Sequence, residues 1–135
     1  MGDPTLRLKD KDANVKEVEM KGDLALGSKL YYMRMKAGMM MDDRDFCQVL
    51  HFFKESSGTI VMVDASVEHS AIPAVKKCVR ADMTQAFFIE PIDDNNCRVT
   101  RVVRVDPRGN VPNALKAKAG KNNSIAKILE AAKSS

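Results

Sequence analysis

Residues 79–105 read VRADMTQAFFIEPIDDNNCRVTRVVRV, and the period of this stretch decides the fold class. Apolar side chains recur at every second position of residues 79–90, where Gln85 interrupts them, and of residues 97–105, where Arg101 does. A period of two is typical of a strand with one buried face. The IDDNN between the two runs has the composition of a turn, so we predict a β-hairpin.

Four segments upstream of the hairpin also have the composition of strands. Residues 15–20 and 29–36 alternate, and residues 45–54 are rich in aromatic and branched side chains. Residues 59–67 resume the alternation after the turn sequence Glu-Ser-Ser-Gly. Residues 70–77 contain an Ile-Pro pair, which predicts an irregular crossing. Successive strands with short turns predict one antiparallel sheet.

The segment after residue 106 has a different period. The sequence Asp-Pro-Arg-Gly-Asn ends the last strand, and apolar residues beyond Pro112 recur at helical spacing between lysines. Gly120 and the two asparagines that follow it weaken the middle of this helix. The sequence therefore predicts an α+β fold, in which one long amphipathic helix lies on the concave face of a curved antiparallel sheet.

Composition excludes several classes of protein. With 135 residues the chain is long enough for one domain, which we assign to residues 1–135. No apolar run is long enough to cross a bilayer, and the charged N-terminus lacks the apolar core of a secretory signal. Three widely spaced cysteines without a CxxC motif fit reduced thiols in an intracellular protein. The two histidines are not at a metal-ligand spacing, so we expect neither a metal nor a cofactor.

Short motifs between residues 44 and 112 follow one another in an order typical of a known family. In chain order they are Arg44-Asp45-Phe46, Gly58, Ser66, His69, Pro73, Val79-Arg80-Ala81, Phe87-Phe88-Ile89-Glu90-Pro91, Cys97-Arg98-Val99-Thr100 and Asp106-Pro107-Arg108-Gly109-Asn110-Val111-Pro112. This series resembles the START domain, the StAR-related lipid-transfer module. The resemblance covers residues 10–133 and the C-terminal two-thirds of such a domain. We therefore expect either a naturally short form or a fragment, whose missing wall a partner or a second copy supplies.

The resemblance implies a helix-grip fold that binds a lipid or sterol-like molecule and carries no catalytic residues. The ligand would lie in an apolar cavity that the C-terminal helix closes. The predicted ligand-binding residues are Met33, Met35, Phe52, Met62, Met83, Phe87, Arg101, Val103, Leu115, Ile125 and Leu129. The predicted contacts with a transient anionic membrane surface are Lys116, Lys118 and Lys121. Plain core packing stays open for most of the apolar residues, as does the outer face or the rim for Arg101.

Sterol-binding members of the family typically carry a charged pair inside the cavity. The position expected for its arginine is Leu50, and the sequence reveals no matching acid, so we do not predict sterol specificity.

Three other functions stay open beside lipid transfer in the cytoplasm with peripheral membrane contact. The first is a ligand-free regulatory or protein-interaction module on the same fold. The second is an enzyme, for which Ser66 and His69 give only a weak nucleophile–base signal. The third is nucleic-acid binding, which we do not expect because no aromatic residues alternate with the lysines of the C-terminal segment.

Overall fold

A computed structural model of the chain describes residues 14–38 and 40–112. These residues form seven strands and a short 3-10 turn at Ala25–Gly27. The strands are β1 (Val15–Asp23), β2 (Lys29–Met35), β3 (Asp43–Lys54), β4 (Ile60–Ser66), β5 (Cys78–Arg80), β6 (Asp82–Pro91) and β7 (Cys97–Asp106). The predicted C-terminal helix lies outside the described residues, and so do Leu115, Lys116, Lys118, Lys121, Ile125 and Leu129.

One seven-stranded sheet contains all of these strands. Its order is β1-β2-β3-β4-β6-β7, and β5 lies beside the start of β3. Every pair is antiparallel except β3 and β5, which run parallel. The predicted hairpin is confirmed, because β6 and β7 pair from Asp82 opposite Asp106 to Pro91 opposite Cys97.

The prediction of one continuous strand at residues 79–90 was wrong. Residues of β5 pair with β3, whereas β6 pairs with β4 and β7. The backbone N–H of Ala81, between the two, donates to the carbonyl oxygen of Asp45 at 2.9 Å. This long-range hydrogen bond holds Ala81 at the point where the chain changes its partner strand.

The register separates the side chains into two faces. Directly opposed residues of neighbouring antiparallel strands share a face. On what we call the inner face, Phe52 lies opposite Met62, Met62 opposite Phe87, and Phe87 opposite Arg101. The other side is the outer face, where His51 lies opposite Val63.

Each face has its own buried cluster. The inner cluster consists of Val15, Val18, Tyr31, Met33, Phe46, Ala81 and Met83. The outer cluster consists of Leu30, Tyr32, Cys47 and Ile72. Ile72 belongs to the predicted irregular crossing, which the structure places over the outer face. Burial of one such side chain stabilises the fold by about 1.5–3 kcal/mol. No helix in residues 14–38 or 40–112 has the length and apolar character needed to cross a membrane.

Candidate functional site

A buried carboxylate lies in the middle of the inner face. Asp64 is 2% exposed, and three uncharged side chains donate hydrogen bonds to it. Tyr31 Oη donates to Oδ2 at 2.5 Å, Gln85 Nε2 to Oδ2 at 2.7 Å, and Gln48 Nε2 to Oδ1 at 3.0 Å. The four residues come from β2, β3, β4 and β6, so the assembled sheet creates this cluster and no single segment does.

Burial dominates the electrostatics of this cluster. It raises the pKa of Asp64, although the hydrogen bonds and the charge of Arg101 act in the opposite direction. Burial and the neighbouring Asp64 together raise the pKa of Tyr31 far above its ordinary value. Tyr31 therefore stays protonated at neutral pH and remains a hydrogen-bond donor.

Gln85 connects Asp64 to Arg101. Its Oε1 accepts from Arg101 Nε at 3.0 Å and from Nη2 at 2.7 Å, while its Nε2 donates to Asp64. The guanidinium carbon of Arg101 also lies 5.4 Å from the centre of the Phe87 ring, within cation–π range. The inner face thus holds a cation and an acid that are joined through one amide.

The sequence predicted no acid to pair with a cation on this face, and Asp64 corrects that prediction. Asp64 shares the inner face with Arg101 because Asp64 lies opposite Gln85 and Phe87 opposite Arg101. The register places Arg101 on the same face as Phe52, Met62 and Phe87. The arginine is not at the position that the family predicts. That position is Leu50, which lies directly opposite Asp64, whereas the arginine of this face is Arg101.

The orientation of Gln48 is fixed from a second side. Its Oε1 accepts a hydrogen bond from Ser66 Oγ, and its Nε2 also donates to the carbonyl oxygen of Met83 at 3.2 Å. The Met83 backbone N–H in turn donates to Ser66 Oγ at 2.8 Å. Ser66 is therefore part of this network, while His69 Nδ1 accepts from the backbone N–H of Ala71 at 3.1 Å. The two residues of the weak nucleophile–base signal bond to different partners.

The predicted ligand-binding residues that the structure describes all lie on the inner face. They are Met33, Met35, Phe52, Met62, Met83, Phe87, Arg101 and Val103. Their exposure differs. Met33, Met83 and Phe87 are buried, whereas Phe52 is 58% exposed and Val103 is 43% exposed. Exposed apolar surface is thus available on the inner face of β3 and β7.

A second buried carboxylate, Asp45, lies on the outer face. It is 1% exposed and forms an ion pair with Arg80, whose Nε lies 2.8 Å from Oδ1. Tyr32 Oη donates to Oδ2 at 3.1 Å. Arg80 also donates to the carbonyl oxygens of Ile72 and Pro73, so it ties the crossing at residues 70–77 to the sheet.

Arg44 holds the turn that follows β7. Its Nε donates to the carbonyl oxygen of Pro107 at 2.9 Å and its Nη2 to that of Arg108 at 2.8 Å. Gly109 has a φ of +64°, and a Cβ there would lie 3.2 Å from Arg44 Nη2. The positive φ and the nearby guanidinium both favour glycine at this position. Two of the motifs noted in the sequence are in direct contact here.

Two cavities of about 160 Å³ each are lined by residues other than Asp64, Gln85 and Arg101. One is lined by Ser66, Arg80 and Arg108, and the other by Tyr32, Arg34 and Ile72. Both are smaller than the pockets of about 300–1,000 Å³ that enclose drug-sized ligands. Within residues 14–38 and 40–112, no three acidic, cysteine or histidine side chains are grouped to hold a metal ion.

Comparison with known proteins identifies one family. A model described as START domain matches residues 6–128. The search of curated proteins gives no match.

Several solved structures resemble the chain at low sequence identity. Human STARD10 has a TM-score of 0.84 at 21% identity, over 94% of this chain and 53% of that one. Human StAR-related lipid transfer protein 5 has a TM-score of 0.75 at 21% identity, over 93% of this chain and 64% of that one. The lipid transfer and protein localization domain of human StarD13 (DLC2) has a TM-score of 0.72 at 22% identity, over 93% and 64%.

These likenesses confirm the predicted fold class, a curved antiparallel sheet of the START type. The chain spans between 53% and 64% of the length of these structures.

Proposed function

The chain belongs to the START domain family, and on that premise we propose that it binds one lipid or sterol-like molecule against the inner face of its sheet. The observation that carries the proposal is that buried Asp64 and half-buried Gln85 and Arg101 form a linked polar cluster on the face that also holds Phe52, Met62 and Phe87. A lipid needs both kinds of surface, apolar for its chains or rings and polar for its head. The function is binding and transfer, without chemical conversion of the ligand.

Apolar burial supplies the affinity in this proposal. Phe52 and Val103 offer exposed apolar area on the inner face, and Met62 lies opposite Phe52 on the neighbouring strand. Each Å² that a ligand covers stabilises the complex by about 25 cal/mol. Methionines such as Met62 adapt their shape at low cost, which suits a face that accepts acyl chains or rings.

The polar cluster would orient the ligand. Arg101 is a permanent cation, so it is suited to a phosphate, carboxylate or carbonyl oxygen of a lipid head. The pKa of Asp64 is raised by burial, and its acceptor oxygens bond to Tyr31, Gln48 and Gln85. We infer that Arg101 meets the head directly, and that Asp64 and Gln85 hold it in position.

Transfer requires a step at a membrane. In the proposed cycle, the segment after Pro112 covers the ligand through Leu115, Ile125 and Leu129 and opens at an anionic surface. Lysines near such a surface contribute about 1 kcal/mol each. The protein would thus be cytoplasmic, with transient peripheral contact.

A charge-reversal variant tests the membrane step. We expect the triple substitution K116E, K118E and K121E to weaken binding to vesicles that contain phosphatidylserine by roughly a hundredfold or more, because three contacts of about 1 kcal/mol each are lost and like charges replace them. Vesicle flotation measures this, with vesicles of neutral phosphatidylcholine as the control. Unchanged flotation with the anionic vesicles would show that the three lysines do not contribute to membrane binding.

Native mass spectrometry of the protein purified from cells tests the binding itself. We expect one lipid mass added to each chain, released by collisional activation. The same spectrum reports whether a second copy completes the cavity. A spectrum with protein masses alone, unchanged after incubation with a lipid extract, would contradict lipid binding and favour the ligand-free interaction module.

A further inference from the structure

The charge of the polar cluster on the inner face depends on a single proton. Arg101 is a permanent cation, and Gln48 and Gln85 are uncharged amides. Tyr31 keeps its proton at neutral pH, because burial and the neighbouring Asp64 raise its pKa far above the ordinary value. The cluster therefore carries no net charge when Asp64 is ionised, and one positive charge when Asp64 is protonated.

The hydrogen bonds around Asp64 leave room for that proton. Oδ2 accepts from both Tyr31 and Gln85, whereas Oδ1 accepts from Gln48 among the described residues. Each carboxylate oxygen has two acceptor sites. The second site of Oδ1 can thus hold a proton while all three hydrogen bonds remain.

Both amides are held with their NH2 groups toward Asp64. Ser66 Oγ donates to Oε1 of Gln48, and Arg101 donates to Oε1 of Gln85 at 2.7 and 3.0 Å. Reversal of either amide would break these bonds, so neither amide turns its oxygen toward the carboxylate. The gain of a proton at Asp64 therefore changes the charge of the site without rearranging its side chains.

Asp64 is the member of the cluster whose charge changes in the ordinary pH range. Within residues 14–38 and 40–112, the polar and charged side chains linked to it are those of Tyr31 on β2, Gln48 on β3, Ser66 on β4, Gln85 on β6 and Arg101 on β7. Arg44, also on the inner face of β3, bonds instead to the carbonyl oxygens of Pro107 and Arg108.

An anionic lipid head beside Arg101 shifts Asp64 toward its protonated form. Burial raises the pKa of Asp64, and the charge of Arg101 acts against that rise. A second anion near Arg101 offsets this cation, and a ligand also removes water from the face, so both effects disfavour the ionised carboxylate. Gln85 keeps the two groups close, because it lies 2.7 Å from Asp64 Oδ2 and 2.7 Å from Arg101 Nη2. A zwitterionic head brings no net charge, and Arg101 continues to act on Asp64.

We propose that the inner-face cluster takes up one proton, on Asp64, when it binds a lipid with an anionic head, and much less when it binds a zwitterionic lipid. The proton comes from the solvent and returns to it when the lipid leaves. Because such coupling is reciprocal, a lower pH strengthens the binding of anionic lipids. This inference rests on the proposed lipid site and adds the class of head that the site favours at each pH.

Isothermal titration calorimetry counts the protons. The probes are dihexanoyl phosphatidylglycerol and dihexanoyl phosphatidylcholine, which share their acyl chains and differ in the charge of the head. Each is titrated into the full chain from about pH 5 to about pH 9, in two buffers with different ionisation enthalpies. We expect an uptake that approaches one proton per phosphatidylglycerol at its maximum, and an affinity that falls up to about tenfold per pH unit in that range.

Two variants assign the proton to a residue. D64N has no carboxylate at this position, so we expect its proton uptake to vanish and its affinity for phosphatidylglycerol to become independent of pH. D45N removes the buried carboxylate of the outer face, and we expect it to keep the uptake of the unsubstituted protein.

Three results would overturn the proposal. They are equal uptake with the two lipids, no uptake with phosphatidylglycerol at any pH of the series, and uptake that persists in D64N. Native mass spectra of the same mixtures report lipid binding separately. Lipid adducts without proton uptake would defeat this inference alone, whereas the absence of adducts with either lipid would defeat the proposed function as well.

Discussion

Two buried carboxylates on opposite faces of the sheet differ in how they are held. Asp45, on the outer face, forms an ion pair with Arg80 at 2.8 Å. Asp64, on the inner face, is bonded to three uncharged side chains, and its pKa is raised by burial. An ion-paired carboxylate that ties down a loop stabilises the fold. A carboxylate that is buried without a directly bonded cation costs stability, which is typical of a functional position.

The same substitution at both carboxylates is the strongest test of this comparison. We expect D45N to destabilise the fold by about 2–3 kcal/mol, because it leaves Arg80 without its charge partner, although Arg80 is partly exposed. We expect D64N to destabilise it by about 1 kcal/mol, because the amide keeps part of the network. Urea unfolding followed by circular dichroism measures both. Equal losses would mean that the two carboxylates have the same structural role.

The two adjacent tyrosines give a test of intermediate size. Tyr31 donates to Asp64 on the inner face, and Tyr32 donates to Asp45 on the outer face. We expect Y31F and Y32F each to destabilise the fold by about 1.5 kcal/mol, since each removes a hydrogen bond to a carboxylate. Only Y31F is expected to change the amount of bound lipid, measured by native mass spectrometry. A lipid loss in Y32F instead would place the site on the outer face.

The pH dependence of the free energy of unfolding gives a third, smaller test of the difference between Asp45 and Asp64. Because the pKa of Asp64 is raised in the folded state, the folded chain holds that proton more tightly than the unfolded chain. The resulting stabilisation is complete below the unfolded pKa and is lost as the pH rises through the folded pKa. We expect the stability of the unsubstituted protein relative to D64N to fall as the pH rises above about 4. Urea unfolding at several pH values checks this, and a relative stability that rises with pH would have the wrong sign.

Sequence alone revealed part of the site, because the alternating pattern is local. Gln85 and Arg101 stood out as polar interruptions of two apolar faces, and the structure shows that they bond to each other. The strand period predicted which residues of its own strand each of them shares a face with, but it left open whether Arg101 lies on the inner face, on the outer face or at the rim. The register of the hairpin of β6 and β7 brings them to one face, and the sequence pattern did not predict that register.

The role of Asp64 was not predicted from the sequence, because its hydrogen-bond partners are distant in the chain. It lies in VMVDASV, where an acid between small and apolar residues reads equally well as an exposed position. Its hydrogen bond to Tyr31 spans 33 residues, and no periodicity encodes that pairing. The break between β5 and β6 was also not predicted. It depends on a long-range contact, the hydrogen bond from the backbone N–H of Ala81 to the carbonyl oxygen of Asp45. The surroundings of Asp64 and the break at Ala81 both depend on strand order and register, which the sequence pattern does not give.

Neighbouring residues on the two faces allow the most direct test of where the ligand binds. Phe52 and Val103 are exposed on the inner face, and Phe53 and Val102 are exposed on the outer face. Because each inner residue has a sequence neighbour on the other face, the variants F52D with V103D and F53D with V102D form a matched pair. Both add two charges at exposed positions of the same two strands.

The measurement is the fraction of chains that carry a lipid in native mass spectra of these two variants. We predict that F52D with V103D loses most of the bound lipid, because burying two carboxylates under a lipid is costly. We predict that F53D with V102D keeps the occupancy of the unsubstituted protein. Loss of lipid in the outer-face variant with full occupancy in the inner-face variant would contradict the account.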